Sequence, residues 1–279
     1  MIRLGRAELA VVVAVALVVM GVWVAAADTF TTTIFDNFDD GDYTNNPTWT
    51  VGGVPGASQS VVSWNGSNAL RMVLPPVSEG YPLSWSGASV ANIYGNQGVY
   101  STLDMTGIDP FWGAGVVARY SPPLDNHIGT GYAAVLHQVA GGPAPGMWFS
   151  LLELAGPTVI EMVTPQFVAS AMAPMWVQIW TEGTGAGTVV LAGAGPLSQP
   201  VPPTWWTLNS GVPGVGFPGI TSYYNSGYAG LIAAGQGNEE NGYAYYDNVR
   251  LLTPEPGTVT LMLGGVAALI AWRRRRRAA

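Results

Sequence analysis

The chain has no cysteine and no lysine, and charged residues make up only 10% of its 279 residues. The absence of cysteine excludes disulfide bridges, thiol catalysis and thiolate metal sites. Glu and Gln, which favour helices, are scarce in the middle of the chain, whereas Gly, Pro, Thr, Tyr, Trp and Val are abundant there. Because the abundant residues favour strands and tight turns, the composition predicts an all-β protein.

Charge is distributed unevenly along the chain. Five of the ten Arg residues form one run at 273–277, and residues 28–253 hold three Arg against nine Asp and six Glu, a net charge of −12. A protein that binds nucleic acid needs a basic face, so this balance excludes nucleic acid as a partner. An acidic domain can instead bind cations, or simply stay soluble outside the cell.

The first 27 residues have the composition of an export signal. Arg3 and Arg6 precede an apolar run at 9–24, and three alanines follow at 25–27. A signal peptidase accepts such small residues, so we expect this signal helix to be cleaved off before Asp28. The alternative is an uncleaved membrane anchor, because sixteen apolar residues are long for a signal core.

The C-terminal end has three parts in a fixed order. Pro254, Glu255 and Pro256 come first, an apolar stretch at 258–272 follows, and the chain then carries Arg273, Arg274, Arg275, Arg276 and Arg277. As a helix, the apolar stretch spans about 22 Å, less than the ~30 Å core of a bilayer, and arginine side chains can lengthen it by snorkelling. The arginines hold this end in the cytoplasm, so we expect a transmembrane helix with the middle of the chain outside.

This tail resembles the PEP-CTERM sorting signal, through Pro254, Glu255, Pro256, the apolar stretch and the arginine cluster. The resemblance implies an exosortase as a partner at the inner membrane, removal of the tail, and passage of the protein to the cell surface or the exopolysaccharide matrix. It covers residues 253–279 and carries no information on what the exported domain does. The alternative is an ordinary single-pass membrane anchor.

Residues 28–252 form one predicted domain between the signal peptide at 1–27 and the tail at 253–279. Short runs with alternating polarity are separated by Gly and Pro, which predicts strands. They lie at 33–38, 61–64, 69–74, 98–105, 113–120, 131–138, 147–154, 158–162, 176–181, 188–192, 228–234 and 243–252. Asn65-Gly66 predicts a hairpin, and the Pro- and Gly-rich segment 196–220 predicts a long surface loop.

Both ends of this domain resemble the concanavalin A-like (laminin G-like) jelly roll. The likeness lies in FDNFDDGD at 35–42, Trp49, GYAGL at 227–231 and YYDNVRL at 245–251. The resemblance implies a two-sheet antiparallel sandwich in which the first and last strands pair in one sheet. It also implies carbohydrate binding, adhesion or glycan hydrolysis, and often a structural calcium ion.

The acidic residues of the opening segment are candidate calcium ligands. Asp36, Asp39, Asp40 and Asp42 crowd one short segment, and Asp247 lies nearby if the terminal strands pair. Calcium takes six to eight oxygen ligands, which clustered carboxylates supply. The alternative is a solvated turn whose Asp side chains accept hydrogen bonds from their own backbone.

Two candidate sites concern glycans. Trp205 and Trp206 are adjacent, so on a strand they point to opposite faces, and one of them can be exposed for stacking on a sugar. The alternative is a loop that folds over and buries both rings. Hydrolysis needs two carboxylates about 5 to 9 Å apart. Glu153 and Glu161 are on neighbouring predicted strands, but the chain has no Glu-x-Asp-x-Glu triplet.

The chain is therefore predicted to be an exported surface or matrix protein without catalysis. We expect it to associate with extracellular polysaccharide, either structurally or by lectin-like binding. The alternatives are a secreted glycan hydrolase with an unrecognised carboxylate pair, and a purely structural coat protein without a ligand.

Overall fold

Two packed β-sheets make up the described part of the protein. A computed structural model describes residues 30–45, 47–76, 84–105, 112–122, 128–139, 146–156, 158–162, 164–170, 174–185, 188–198, 206–209, 224–235 and 242–254. Contacts divide the chain into one unit at Thr32–Leu252 and another made of Met1–Thr31 with Thr253–Ala279. Of this second unit, residues 30, 31, 253 and 254 belong to the described part, and all four are strand residues.

Sheet A has eight strands, in the order β14-β13-β12-β6-β16-β4-β3, and β1 also pairs with β16. Their bounds are β1 (Phe30–Asp36), β3 (Ser58–Trp64), β4 (Ser67–Leu74), β6 (Gln97–Asp104), β12 (Met175–Glu182), β13 (Val189–Pro196), β14 (Trp206–Asn209) and β16 (Gly242–Pro254). β16 is therefore a central strand.

Sheet B also has eight strands, in the order β10-β9-β8-β7-β15-β5-β2, and β11 also pairs with β9. Their bounds are β2 (Trp49–Gly53), β5 (Ser84–Tyr94), β7 (Trp112–Ser121), β8 (Thr130–Val139), β9 (Gly146–Ala155), β10 (Thr158–Glu161), β11 (Gln166–Ala169) and β15 (Gly227–Gly235).

The predicted all-β class with two antiparallel sheets is confirmed, and the described residues contain no α-helix. The first and last strands, β1 and β16, pair in one sheet. Asn65 and Gly66 form the predicted hairpin turn between β3 and β4, with φ angles of 50° and 88°. Two positive φ values in a two-residue loop match the twist of the strands on either side.

Four strands of the structure were not predicted from the sequence, namely β2, β5, β11 and β14. β5 is eleven residues long, but Ser84, Ser86 and Ser89 are buried in it, so no polar-apolar alternation marks it. β14 lies inside the segment 196–220 that was expected to be a loop, and most of the rest of that segment is outside the described residues.

Sheet B is buried by apolar side chains on both faces. The main core lies between the sheets and includes Leu70, Leu103, Leu231 and Tyr246. A second cluster covers the opposite face of sheet B and is formed by Val54, Trp85, Val117, Tyr120, Ile128, Ala133, Val135, Leu154 and Ile232. Because alternate residues of a strand point to opposite faces, neighbours such as Val116 and Val117 belong to different clusters.

Among the described residues, no helix is long and apolar enough to cross a membrane. The predicted signal helix at 9–24 and the predicted transmembrane helix at 258–272 lie outside the described residues.

Tyr246 of β16 ties the two sheets together. Its ring is fully buried in the core, its hydroxyl donates to the Ile232 carbonyl of β15, and the same oxygen accepts the Gly115 N–H of β7 at 3.2 Å. Burial raises the pKa of the Tyr246 hydroxyl well above its ordinary value, so the group stays a neutral donor. One end of sheet A's central strand is thus fixed to sheet B by hydrogen bonds.

Arg119 holds together the loops at one end of the sandwich. It is 1% exposed and lies at a bulge of β7, with a φ of 51°. All five of its N–H groups donate to neutral oxygens, which are Gly95 O, Asn96 Oδ1, Gly183 O, Thr188 Oγ1 and Tyr224 O, at 2.6 to 3.4 Å. A Cβ at Gly227 would collide with the Arg119 backbone, so only glycine fits there.

Substitution Arg119→Lys is expected to destabilise the protein by about 3 kcal/mol or more, because an ammonium group has three donors and cannot reach five acceptors. Urea unfolding of the full-length protein measures the change. Arg71→Lys is the matched control, since Arg71 is half-buried and donates to Ser60 Oγ at 3.3 Å. Equal losses for the two variants would contradict the role given to Arg119.

Candidate functional site

A cavity of about 220 Å³ lies on sheet A, on the face opposite the core. We call it the sheet A pocket. Its polar lining residues are Asn65, Ser67, Thr102, Asp104, Asp247 and Asn248. The described lining includes no Arg, Lys or His. The pocket therefore combines two carboxylates with neutral polar groups.

Two aromatic rings form one wall of the pocket. Trp64 and Tyr245 stack with their ring centroids 3.7 Å apart and their planes within 9° of each other. Strand register brings them together: Trp64 pairs with Ser67 across the hairpin, while Tyr245 of β16 pairs with Asp104 of β6. The rings therefore come from positions 181 residues apart in the sequence.

Asp104 fixes the position of the Trp64 ring. It is only 5% exposed, and its Oδ2 accepts hydrogen bonds from Trp64 Nε1 at 2.9 Å and from Asn65 Nδ2 at 3.1 Å. A carboxylate that accepts hydrogen bonds strengthens them relative to a neutral acceptor. The orientation of the indole is thus set by a charged partner before any ligand arrives.

Asp247 enters the pocket from a β-bulge in β16. The register with β6 shifts between Asp247 and Arg250, and Asn248 has a φ of 52°. The bulge is held by Ser101 and Thr102, whose hydroxyls donate to the Asp247 carbonyl at 3.2 and 2.9 Å. Bulges of this kind redirect a side chain.

The Asp247 carboxylate accepts from neutral donors. Oδ1 accepts the Asn248 N–H at 2.6 Å, and Oδ2 accepts the Ser67 hydroxyl at 3.1 Å. Burial raises the pKa of Asp247 above its ordinary value, and the charge of Asp39 raises it further. The two hydrogen bonds lower this pKa but do not reverse the effect of burial.

Asp36 anchors the acidic turn that follows β1. It is 6% exposed, its Oδ1 accepts the Phe38 N–H at 2.8 Å, and its Oδ2 accepts Trp49 Nε1 at 2.7 Å. Burial raises the pKa of Asp36, and the charges of Asp40 and Asp247 add to this effect, while the two hydrogen bonds lower it. The turn and the pocket are therefore within electrostatic range of each other.

The carboxylates of the predicted calcium ligands mostly accept hydrogen bonds from residues of their own turn. Asp42 accepts hydrogen bonds from the backbone and hydroxyl of Thr44 and from Asn45, which lowers the pKa of Asp42. Asp40 accepts the Asp42 N–H at 3.0 Å, and Asp39 accepts from the Asn37 amide. Asp247 is near Asp39, but no group of three or more His, Asp or Glu in the described residues could hold a metal ion. The calcium site stays a prediction.

The predicted sugar-stacking pair is largely outside the described part of the chain. Trp205 is not among the described residues, and Trp206 begins β14, where its backbone pairs with Ala192 of β13. Its side chain is not described. A role for Trp205 and Trp206 in sugar binding stays a prediction.

The carboxylate pair suggested by the sequence does not form. Glu153 pairs with Ile160 and Glu161 pairs with Leu152, so the two glutamates lie on opposite faces of sheet B. Glu153 is fully buried on the core side, and Glu161 is exposed. Although the two glutamates are on neighbouring strands, this register keeps their side chains apart.

Sequence reasoning missed Trp64, Asp104 and Tyr245 as parts of a site. They lie on β3, β6 and β16, and only the sheet order brings those strands close. The Asn65-Gly66 turn did indicate where Trp64 sits relative to Ser67. No pattern in the sequence near Trp64 or Ser67 indicates that they lie close to β6 or β16.

A family comparison decides the nature of the C-terminal end. Residues 252–277 match the PEP-CTERM protein-sorting motif. The C-terminal tail is a PEP-CTERM sorting signal. A PEP-CTERM tail indicates an exported protein that is sorted to the cell surface, and it implies processing by an exosortase. No curated protein matches the chain in sequence.

Solved structures are similar to the sandwich that precedes the PEP-CTERM tail. The GH43 BlXynB protein from Bacillus licheniformis is 13% identical, with a TM-score of 0.50, over 79% of this chain and 39% of that chain. GH43B of a Bacteroides ovatus xyloglucan locus is 14% identical, with a TM-score of 0.50, over 79% of this chain and 39% of its own.

An engineered GH43 glycoside hydrolase with endo-xylanase and exo-arabinofuranosidase activity is 12% identical, with a TM-score of 0.51, over 79% of this chain and 41% of that chain. This chain thus spans about two fifths of the length of these hydrolases. At such identities the likeness establishes a shared fold alone, a sandwich of two antiparallel β-sheets.

Substitution Ser67→Ala is expected to raise the pKa of Asp247 further, because it removes a hydrogen bond that lowers this pKa. The folded carboxyl then holds its proton to a higher pH than in the unfolded chain. The contribution of Asp247 to stability therefore falls more as pH rises through that folded pKa. Carboxyl NMR titration measures the shift, with Ser60→Ala as the control. An unchanged or lowered pKa in Ser67→Ala would contradict this electrostatic description.

Proposed function

We propose that the protein is a non-catalytic surface protein whose sandwich domain binds extracellular polysaccharide through the sheet A pocket. The observation that carries the proposal is the continuity of one strand. β16 supplies Tyr245 and Asp247 to the pocket, and the PEP-CTERM match begins at Leu252 of the same strand. The match to the sorting signal therefore begins on the strand that supplies two residues of the candidate binding site.

Processing is proposed at both ends of the chain. A signal peptidase removes residues 1–27 during export, and the apolar segment 258–272 with Arg273 to Arg277 holds the protein in the inner membrane until an exosortase acts at Pro254-Glu255-Pro256. Membrane attachment is then transient. The mature domain passes to the cell surface or to the extracellular matrix.

The chemistry of the sheet A pocket suits a sugar. Sites for small ligands combine aromatic and apolar walls with a few well-placed polar groups. Here the aromatic wall is Trp64 with Tyr245, the apolar wall includes Leu197 and Pro174, and the polar groups are carboxylates, hydroxyls and amides. The apolar face of a sugar ring can stack on the outer face of one of the two rings while its hydroxyl groups donate to the carboxylates.

Hydrolysis is a second candidate function, because the pocket holds two carboxylates. Asp104 and Asp247 occupy diagonal positions on paired strands, and such diagonal neighbours are about 7 to 8 Å apart, with their Cβ atoms somewhat closer. A hydrolase needs one carboxyl that gives a proton to the leaving oxygen. Asp104 instead holds Trp64 and Asn65 in position, so this geometry favours binding over catalysis.

Incubation of the full-length protein with polysaccharides separates the two functions. Binding without the release of new reducing ends supports the proposal. Release of reducing ends that is lost in Asp104→Asn and Asp247→Asn would favour the hydrolase instead.

Intact mass and cell fractionation test the sorting. We expect the mature protein to begin at Asp28, to end near Pro254 and to be found outside the inner membrane. Replacement of Pro254, Glu255 and Pro256 by Ala is expected to leave a species that keeps the arginine run in the inner membrane. Lys in place of all five arginines is the matched control, because it keeps the positive charge. An unchanged mature mass in the triple Ala variant would contradict processing at this motif.

A further inference from the structure

We propose that the sheet A pocket selects a sugar unit with a free amino group, such as the glucosamine units of a deacetylated polysaccharide. This inference rests on the proposed function and names the ligand class of the same site. The described lining of the pocket holds two carboxylates and no basic residue, and an ammonium group on a sugar ring would supply the missing positive charge.

The charged residues that line the pocket are acidic. Asp104 and Asp247 both line the cavity, Asp39 is within electrostatic range of Asp247, and the described lining contains no basic residue. A sugar that carries a carboxylate or sulfate would meet like charges at close range. A protonated amine would instead be attracted, and this attraction is strengthened in a partly desolvated site.

The Asp247 carboxylate can accept more hydrogen bonds than the two described above. An ionised carboxylate has about four acceptor positions. The Asp247 carboxylate uses two of them, one for the Asn248 N–H and one for the Ser67 hydroxyl, and both donors are neutral. Asp247 can therefore accept from an ammonium group without losing its present partners, and such charge-assisted hydrogen bonds are among the strong ones.

The size and shape of the pocket favour an amino group on a sugar ring over a simple amine. The cavity of about 220 Å³ is smaller than the roughly 300 to 1,000 Å³ of pockets for drug-sized ligands, so its size suits one monosaccharide ring. Trp64 and Tyr245 stack on each other, so each ring keeps one outer face, and a linear polyamine cannot use such a flat face fully. An amine on a ring benefits from both the wall and the carboxylates.

Binding of matched oligosaccharides to the full-length protein in detergent tests the inference by calorimetry. Glucosamine oligomers and N-acetylglucosamine oligomers share one skeleton and differ in charge, so we expect the glucosamine oligomer to bind at least tenfold more tightly. Asp247→Asn is expected to remove most of that difference. Glu182→Gln removes the same charge at an exposed residue at the end of β12 and is expected to keep the difference.

The outcomes separate this inference from the proposed function. Equal or tighter binding of the N-acetylated oligomer, if Trp64→Ala abolishes it, would overturn the amino-sugar inference while supporting polysaccharide binding at the pocket. Binding of neither oligomer, nor of neutral or acidic polysaccharides, would overturn both. Equally tight binding of spermidine would show that charge suffices and would overturn the choice of a sugar. Thermal melting of each variant checks that it is folded.

Discussion

The alternation of side chains along β16 is the constraint on which the rest of the molecule depends. Because successive residues point to opposite faces, Tyr246 enters the core and bonds to sheet B, while Tyr245 and Asp247 face the sheet A pocket. A shift of one residue in the register of β16 would exchange these two sets. The same strand then runs into the PEP-CTERM motif at Leu252. The core contact and the candidate site are thus fixed by one register.

Buried polar groups explain how a domain with so few charges is held in one arrangement. Arg119 donates to five neutral oxygens from separate loops, and Asp36 accepts from a backbone N–H and from the indole of Trp49. A buried polar group that lost such partners would carry a large desolvation cost, so each network specifies the loops around it. Asp104 acts on Trp64 in the same way, which makes the aromatic wall of the pocket rigid before binding.

Local patterns in the sequence predicted much of the fold. Alternating residues identified most strands, and Asn65-Gly66 identified one hairpin with its backbone conformation, because these signals arise between near neighbours. β5 could not be predicted, since its buried serines and Gly87 remove the alternation. The pocket could not be predicted either, because Trp64, Asp104 and Tyr245 meet only through the order of strands β3, β4, β16 and β6. The opposite placement of Glu153 and Glu161 also depends on register, which composition and spacing do not determine.

The most direct test of the sheet A pocket as the ligand site is a crystal structure of the mature protein from its host, soaked with a glucosamine oligomer. We expect electron density for one sugar ring stacked on the outer face of Trp64 or Tyr245, with the amino nitrogen within hydrogen-bonding distance of Asp247. Density for the oligomer at another surface, with the sheet A pocket empty at a saturating concentration, would contradict the central claim.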